Sequence, residues 1–247
     1  REMRVFHGFD ALPHFVRPAV TVGSYDGVHL GHRALIGRLI AEARANGGES
    51  IVLTFEPHPR ITLGKAEGLR LLTTLDEKIC LLERLGIDNL VIIPFDRAFS
   101  RLAPDEFVRD CLVGHTGAET LVVGFNHRFG HNKQGSYDYL GSHGFGLEVV
   151  EVGECDVDAE KVSSTVIRRL VEKGEMARAA HLLSHPYLVI GRAQRNRIRV
   201  DDPLKLLPPP GEYDAHINGK PARLTVDAAQ ELITRDILPE GRVVITF

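Results

Sequence analysis

The sequence predicts a doubly wound α/β domain with a parallel sheet over residues 1–184, followed by a small β module over residues 185–247. Three observations predict it. Short apolar runs alternate with helical patterns from residue 19 to about 152. Runs such as Leu90-Val91-Ile92-Ile93 are continuously apolar, as strands of a parallel sheet covered on both faces must be. Beyond Ser184 the helical periodicity gives way to alternating stretches that follow Pro208-Pro209-Pro210-Gly211.

Taken in order, residues 19–23 read as the first strand. The helix after His32 carries Leu35, Ile36, Leu39, Ile40 and Ala43 on one side, and Gly47-Gly48 ends it. Residues 50–55 form the next strand. Thr74-Leu75-Asp76-Glu77 has capping-box form and opens a helix that runs through Leu85 and stops at Gly86. A strand follows at residues 89–94. Pro104-Asp105-Glu106 starts another helix, with proline where its missing N–H costs least. Residues 120–124 are a strand, 136–142 a short helix and 147–152 the fifth strand. The junction is expected near Ser184-His185-Pro186, with alternation at residues 213–217 and 243–247.

Bulk properties narrow the classes of function. The chain has 247 residues, 43% hydrophobic and 26% charged, the mixture of an ordinary soluble globular protein. A net charge of −3 argues against nucleic-acid binding by bulk electrostatics. No apolar run reaches membrane-spanning length and no signal-peptide pattern opens the chain, so cytoplasm is the expected location. Cys80, Cys111 and Cys155 lack metal-type spacing, and Cys80 is expected to be a buried free thiol in a helix.

Four segments carry chemistry. The first strand opens into Ser24-Tyr25-Asp26-Gly27-Val28-His29-Leu30-Gly31-His32. A helix N-terminus presents unpaired N–H groups and the positive end of its dipole, which favour a phosphate. Gly31 has no Cβ to hold that phosphate off, and His29 and His32, spaced i, i+3, can donate to it together. Two such histidines could equally be surface residues or half of a zinc site, but no further ligands stand nearby. Ser163-Ser164-Thr165 places hydroxyls before a second helix, where they could serve as an N-cap alone; Arg168 extends from the same face. Gly124-Phe125-Asn126-His127-Arg128-Phe129-Gly130 leaves a strand directly, either as a polar surface loop or as a ligand loop. Thr54-Phe55-Glu56-Pro57-His58-Pro59-Arg60 is stiffened by two prolines and ends on a guanidinium suited to a phosphate or to solvent.

The histidine segment resembles the H-x-G-H motif of the nucleotidyltransferase superfamily. Its longer form is similar to the G-x-F-D-G-V-H-x-G-H of bacterial FAD synthetases, with Tyr25 where Phe is usual. Residues 162–168 resemble that family's second signature. Residues 124–130 resemble its G-x-[DN]-F-x-F-G loop, with His127 in place of Phe, and residues 54–60 resemble its T-F-x-P-H-P-R run. The resemblance implies a Rossmann-like nucleotidyltransferase domain and an FMN adenylyltransferase that joins ATP and FMN into FAD and pyrophosphate, without a covalent enzyme intermediate. It implies catalytic roles for His29, His32 and Arg168. ATP contacts would come from Gly23, Ser24, Tyr25, Gly31, Gly124, Ser163, Ser164 and Thr165, and FMN contacts from Arg60, Asn126, His127, Arg128 and Phe129. Mg²⁺ would be bound through the phosphates, with no protein ligand named.

Residues 185–191 and 206–213 resemble strands of the riboflavin kinase barrel that follows in bifunctional FAD synthetases. The kinase's glycine-rich turn and G-F-P-T-A-N segment have no counterpart in residues 194–204, so kinase activity is expected to be absent and the module a remnant. The expected partners are ATP and FMN, without nucleic acid or membrane; a homo-oligomer is left open. The alternatives are a bifunctional kinase/synthetase, another small-molecule nucleotidyltransferase, and a non-catalytic flavin-nucleotide-binding protein.

Overall fold

The computed structural model describes every residue except Arg1 and Asn126. The chain divides into two compact units, the first comprising Arg1–Tyr25, Gly31–Leu69 and Leu81–Cys155, the second Asp26–Leu30, Arg70–Cys80 and Asp156–Phe247.

The first unit is built on six strands: β1 (Arg4–His7), β2 (Ala19–Val22), β3 (Ser50–Glu56), β4 (Asn89–Pro94), β5 (Thr120–Gly124) and β6 (Glu148–Val152). Their order is β1-β4-β3-β2-β5-β6, and every neighbouring pair is parallel. The doubly wound α/β class is therefore as the apolar runs indicate. From β2 the chain works outward through β3 to β4, then returns to place β5 on the other side of β2. That reversal leaves a crevice beyond the carboxyl ends of β2 and β5, where such sheets bind ligands. Val20, Val22, Ile51, Leu53, Val91, Ile93, Leu121 and Val123 pack into one core with Phe107, Cys111, Leu112 and Leu140.

Helix α1 (Leu30–Ala45) buries Ile36, Leu39 and Ala43. One turn, α2 (Pro59–Thr62), follows β3 and the cis Glu56–Pro57 peptide, and α3 (Leu75–Leu85) precedes β4. The capping box forms as read: Thr74 N–H donates to Glu77 Oε2 at 2.8 Å and Glu77 N–H to Thr74 Oγ1 at 3.4 Å. After α4 (Arg97–Ser100), the helix begun by Pro104 lasts one turn as α5 (Pro104–Glu106). It then widens into a π-helix, Phe107–His115, that buries Phe107, Val108, Cys111 and Leu112. Helix α6 (Tyr137–His143) has Ser136 as its N-cap, the hydroxyl accepting from Tyr139 N–H at 3.2 Å. Cys80 on α3 is half-buried rather than buried.

The second unit holds a hairpin, β7 (Asp156–Val157) with β8 (Glu160–Lys161), and then α7 (Ser164–Glu172) and α8 (Met176–Leu183). Four antiparallel strands complete it: β9 (Leu188–Arg199), β10 (Gly211–Ile217), β11 (Lys220–Val226) and β12 (Leu232–Thr246). Their order is β10-β11-β12-β9, and the far end of β12 also pairs with β10, so the sheet curls back on itself. Its buried residues include Leu188, Val189, Ile198, Leu224, Leu232, Val243 and Ile245.

The division at Asp156 differs from the junction expected near Ser184. Its physical cause is a set of long-range bonds that tie α7 and the following strands to residues 26–30 and 70–80. Leu71 N–H donates to Leu204 O and Leu206 N–H to Leu71 O, each at 2.8 Å. Lys205 Nζ, fully buried, donates to Glu77 Oε2 at 2.7 Å, to Leu72 O at 2.6 Å and to Leu188 O at 2.7 Å.

Candidate functional site

In the second unit, the segment 26–30 is a strained turn with many anchors. Tyr25, Gly27 and Val28 in succession adopt φ of 49°, 87° and 44° around Asp26. Left-handed backbone is costly for a β-branched residue such as Val28, and it persists only where the surroundings impose it. Here they do. Thr73 Oγ1 accepts from Gly27 N–H at 3.0 Å, Ser164 Oγ donates to Asp26 O at 2.8 Å, and His185 Nε2 lies 2.9 Å from Gly27 O. The φ of 87° favours glycine at position 27, and a Cβ there would also crowd Leu72 and Leu183, 2.8 Å from Leu72 Cδ1 and 3.3 Å from Leu183 Cδ2.

Asp26, which the sequence reading passed over, is the centre of this cluster. Its buried carboxylate accepts from Leu72 N–H at 3.2 Å, from Thr73 N–H at 3.0 Å and from Thr73 Oγ1 at 3.2 Å. It also pairs with Arg168 Nη2 at 2.5 Å, while Arg168 Nε donates to Arg70 O at 2.8 Å. The guanidinium is thus held by two partners and has donors left for a ligand. Of the hydroxyls named from the sequence, Ser163 caps α7 and accepts from Val166 N–H at 3.3 Å. Ser164 holds Asp26, and only Thr165 is exposed.

His29 directly precedes α1 and is buried. Burial pushes its imidazole down from 6.5 to about 4; Asp26 opposes that shift, while His185 and Arg168 reinforce it. His29 is therefore a neutral donor or acceptor at pH 7. The unfolded chain takes up this proton near 6.5 and the folded chain only near 4, so acid favours unfolding in that window. Stability is expected to fall by about 3 kcal/mol between those pH values on account of His29 alone. Urea midpoints of the wild type and His29→Gln at pH 7 and pH 4.5 check this: the variant should show the shallower acid loss, and equal losses would contradict it.

In the first unit, Gly23, Ser24 and Tyr25 leave the carboxyl end of β2. Gly23 N–H donates to Leu53 O at 3.1 Å, and Thr54 Oγ1 donates to Ser24 O at 3.3 Å. Tyr25 is buried, 3% exposed. Its hydroxyl pairs with Thr21 Oγ1 at 2.8 Å inside the fold, and its ring lies 3.2 Å from where a Cβ on Gly23 would stand. His32, in the first turn of α1 with Gly31, meets that ring edge-on at 5.2 Å.

Beyond β5, Gly124 accepts from His127 N–H at 3.0 Å; Asn126 lies outside the described residues. Phe129, expected to stack on a ligand, is instead packed within the loop. Its ring is 5.9 Å from Phe107 and 6.3 Å from Tyr139, and a Cβ on Gly135 would fall 2.5 Å from it. The open aromatic face of this loop belongs to Phe125, 48% exposed. His127 stacks at 6.0 Å on Phe129, its Nε2 buried without a hydrogen-bond partner among the described residues, and burial lowers its proton affinity. Arg128 and Arg60 are exposed; Arg60 Nε donates to Lys65 O at 2.9 Å, which leaves the outer nitrogens free to face a ligand.

A cavity of about 680 Å³ in the second unit is lined by none of the site residues named from the sequence, although Arg70, whose carbonyl holds Arg168, borders it. Arg192 and Arg197 on its wall are already paired with Asp201 and Glu231. Among the described residues, no group of three or more His, Cys, Asp or Glu side chains could hold a metal ion, and no helix is long and apolar enough to cross a membrane.

Residues 14–166 match the family model for FAD synthetase. The chain is 35% identical over 178 residues to a bifunctional riboflavin kinase/FMN adenylyltransferase of Listeria monocytogenes, covering 71% of this chain and 56% of that one. It is 34% identical over 175 residues to the protein of the same description from Escherichia coli K12, covering 70% and 56%. The chain thus spans little more than half the length of these relatives. A crystal structure described as a macrolide-efflux protein from Streptococcus pneumoniae aligns over 99% of this chain and 89% of that one. Its TM-score is 0.82 at 22% identity, a likeness of fold alone.

Proposed function

This chain belongs to the FAD synthetase family, and from that premise we propose that it transfers AMP from ATP to FMN, releasing FAD and pyrophosphate. The observation that carries the reading is the join between the two signature segments: Asp26 of the first holds Arg168 of the second, and Ser164 of the second holds the Asp26 carbonyl. A surface turn and an unrelated N-cap would have no reason to be bonded to each other.

The chemistry asks little of a base. An oxygen of the FMN phosphate, ionised near neutrality as a phosphate monoester is, attacks the α-phosphorus of ATP. One P–O bond forms, the bond to the β-phosphate oxygen breaks in line, and pyrophosphate leaves with the electron pair. Catalysis then rests on alignment and on donors aimed at the developing charge. His29 and His32 are proposed as those donors at the head of α1, and Arg168, with Thr165, as the holder of the leaving pyrophosphate. Because Arg168 is braced by Asp26 and Arg70 O, it is preorganised rather than recruited on binding. Gly23, Ser24, Gly31 and Gly124 would border ATP, and Arg60 would take the FMN phosphate, with Arg128 and the 125–129 loop beside the flavin. Mg²⁺ would arrive on the phosphates of ATP; Asp26, with its carboxylate engaged by four donors, is unsuited to hold it.

We also propose that these 247 residues do not phosphorylate riboflavin, since residues 194–204 carry no phosphate turn and no Thr–Asn pair for Mg-ATP. Incubation with ATP, Mg²⁺ and either FMN or riboflavin, with chromatography of the flavins, tests both statements. FAD from FMN, with riboflavin unchanged, is the expected result. Absence of FAD would overturn the first statement, and FMN formed from riboflavin the second.

A further inference from the structure

His185 follows the left-handed Ser184 (φ 57°) at the end of α8. Its Nε2 lies 2.9 Å from Gly27 O and its Nδ1 2.8 Å from Pro186 O. A carbonyl oxygen only accepts. A neutral imidazole has a single N–H, so either neutral tautomer would turn a lone pair toward one of these oxygens. Both contacts are hydrogen bonds only when both ring nitrogens carry protons, that is, in the imidazolium form.

We propose that His185 is a positioning residue for adenylyl transfer: a protonated strap that fixes the Gly27 carbonyl and, through it, the strained turn that carries His29. This rests on the function proposed above. The other anchors of the turn are the Thr73 and Ser164 hydroxyls, the Leu72 and Thr73 peptides, and the Asp26–Arg168 pair. None of these changes its charge near neutrality, whereas a histidine does. Among the described groups, His29 on the turn lies within electrostatic range of His185, and Asp26 on the turn and Arg168 on α7 act on His29 in turn. Loss of one proton from His185 sets a lone pair against a carbonyl. A turn with Val28 in left-handed backbone then loses an anchor without losing its fold.

The test uses the full chain with ATP, Mg²⁺ and FMN, following kcat against pH alongside the ¹⁵N shifts of the His185 ring. In the wild type both ring nitrogens should read as protonated below a midpoint, and kcat should fall on the basic side with that same midpoint. His185→Gln keeps one N–H for Gly27 O. It should retain most of the activity and lose that basic limb. His185→Leu should lower kcat about 10- to 100-fold, the scale of one charge-assisted hydrogen bond, with KM for ATP little changed. Should the leucine variant fail to fold, the glutamine profile decides. A neutral ring at the pH where the wild type is most active, or a basic limb undiminished in His185→Gln, would overturn the strap. A wild type that forms no FAD would instead overturn the adenylyl-transfer reading and the positioning role with it, while the ring shifts would still report whether the imidazolium forms.

Discussion

Alanine in place of Lys205 is expected to destabilise the protein by about 3–5 kcal/mol, the scale for breaking a buried ion pair on one side. The ammonium is almost wholly buried, 1% exposed, and Glu77 is 0% exposed. Besides Glu77 it serves the carbonyls of Leu72 and Leu188, and it lies 4.3 Å above the Tyr187 ring. Removing it leaves a carboxylate in the interior whose remaining partners among the described residues are the Thr74 and Ile190 peptides. Lys205→Met fills most of the space yet should cost nearly as much, because the stranded charge and not the cavity dominates. Combining Glu77→Gln with Lys205→Met should cost less than the two changes summed, since the pair leaves together. Urea denaturation at neutral pH of these variants and of Glu77→Gln alone measures the set. A Lys205→Ala protein within about 1 kcal/mol of wild type would show that the pair is not desolvated in solution.

The second large effect is on rate. His32→Ala is expected to lower kcat about 30- to 1,000-fold, or about 2–4 kcal/mol, as loss of one preorganised donor does. KM for ATP should move much less, because the contact strengthens as charge develops in the transition state. His32 is half-buried on the first turn of α1, and alanine is a good helix former, so the urea midpoint should hardly change. Steady-state FAD formation, with that midpoint as control, separates catalysis from folding. An unchanged kcat would remove His32 from the mechanism.

What could be read from the sequence was local. Continuous apolar runs disclosed five of the sheet's strands, and the capping box of α3 was legible because its two residues lie three apart. β1 was missed: it is a four-residue edge strand that begins at Arg4 and ends at His7, too short and too polar to register as a run. The π-helix was read as an ordinary helix, since both bury one apolar stripe. In the candidate site, the histidines and Arg168 stood out by spacing, but the work of Asp26 did not. Its partners lie 46, 47 and 142 positions away, and no local pattern announces them. Phe129 drew the stacking role because an aromatic in a loop suggests a ligand, whereas Gly135 makes room for that ring inside the loop itself.

The turn at Gly27 also sets an order of events in time. It leaves the ribosome before its last anchor, His185, which is 158 positions behind it. At about 5–20 residues per second, that interval is about 8–30 s. Until then Val28 has fewer restraints to keep it in left-handed backbone, and relaxed conformations compete. The turn therefore reaches its full set of anchors only after His185 has been made, and a nascent chain that has not yet reached His185 carries the motif without that anchor.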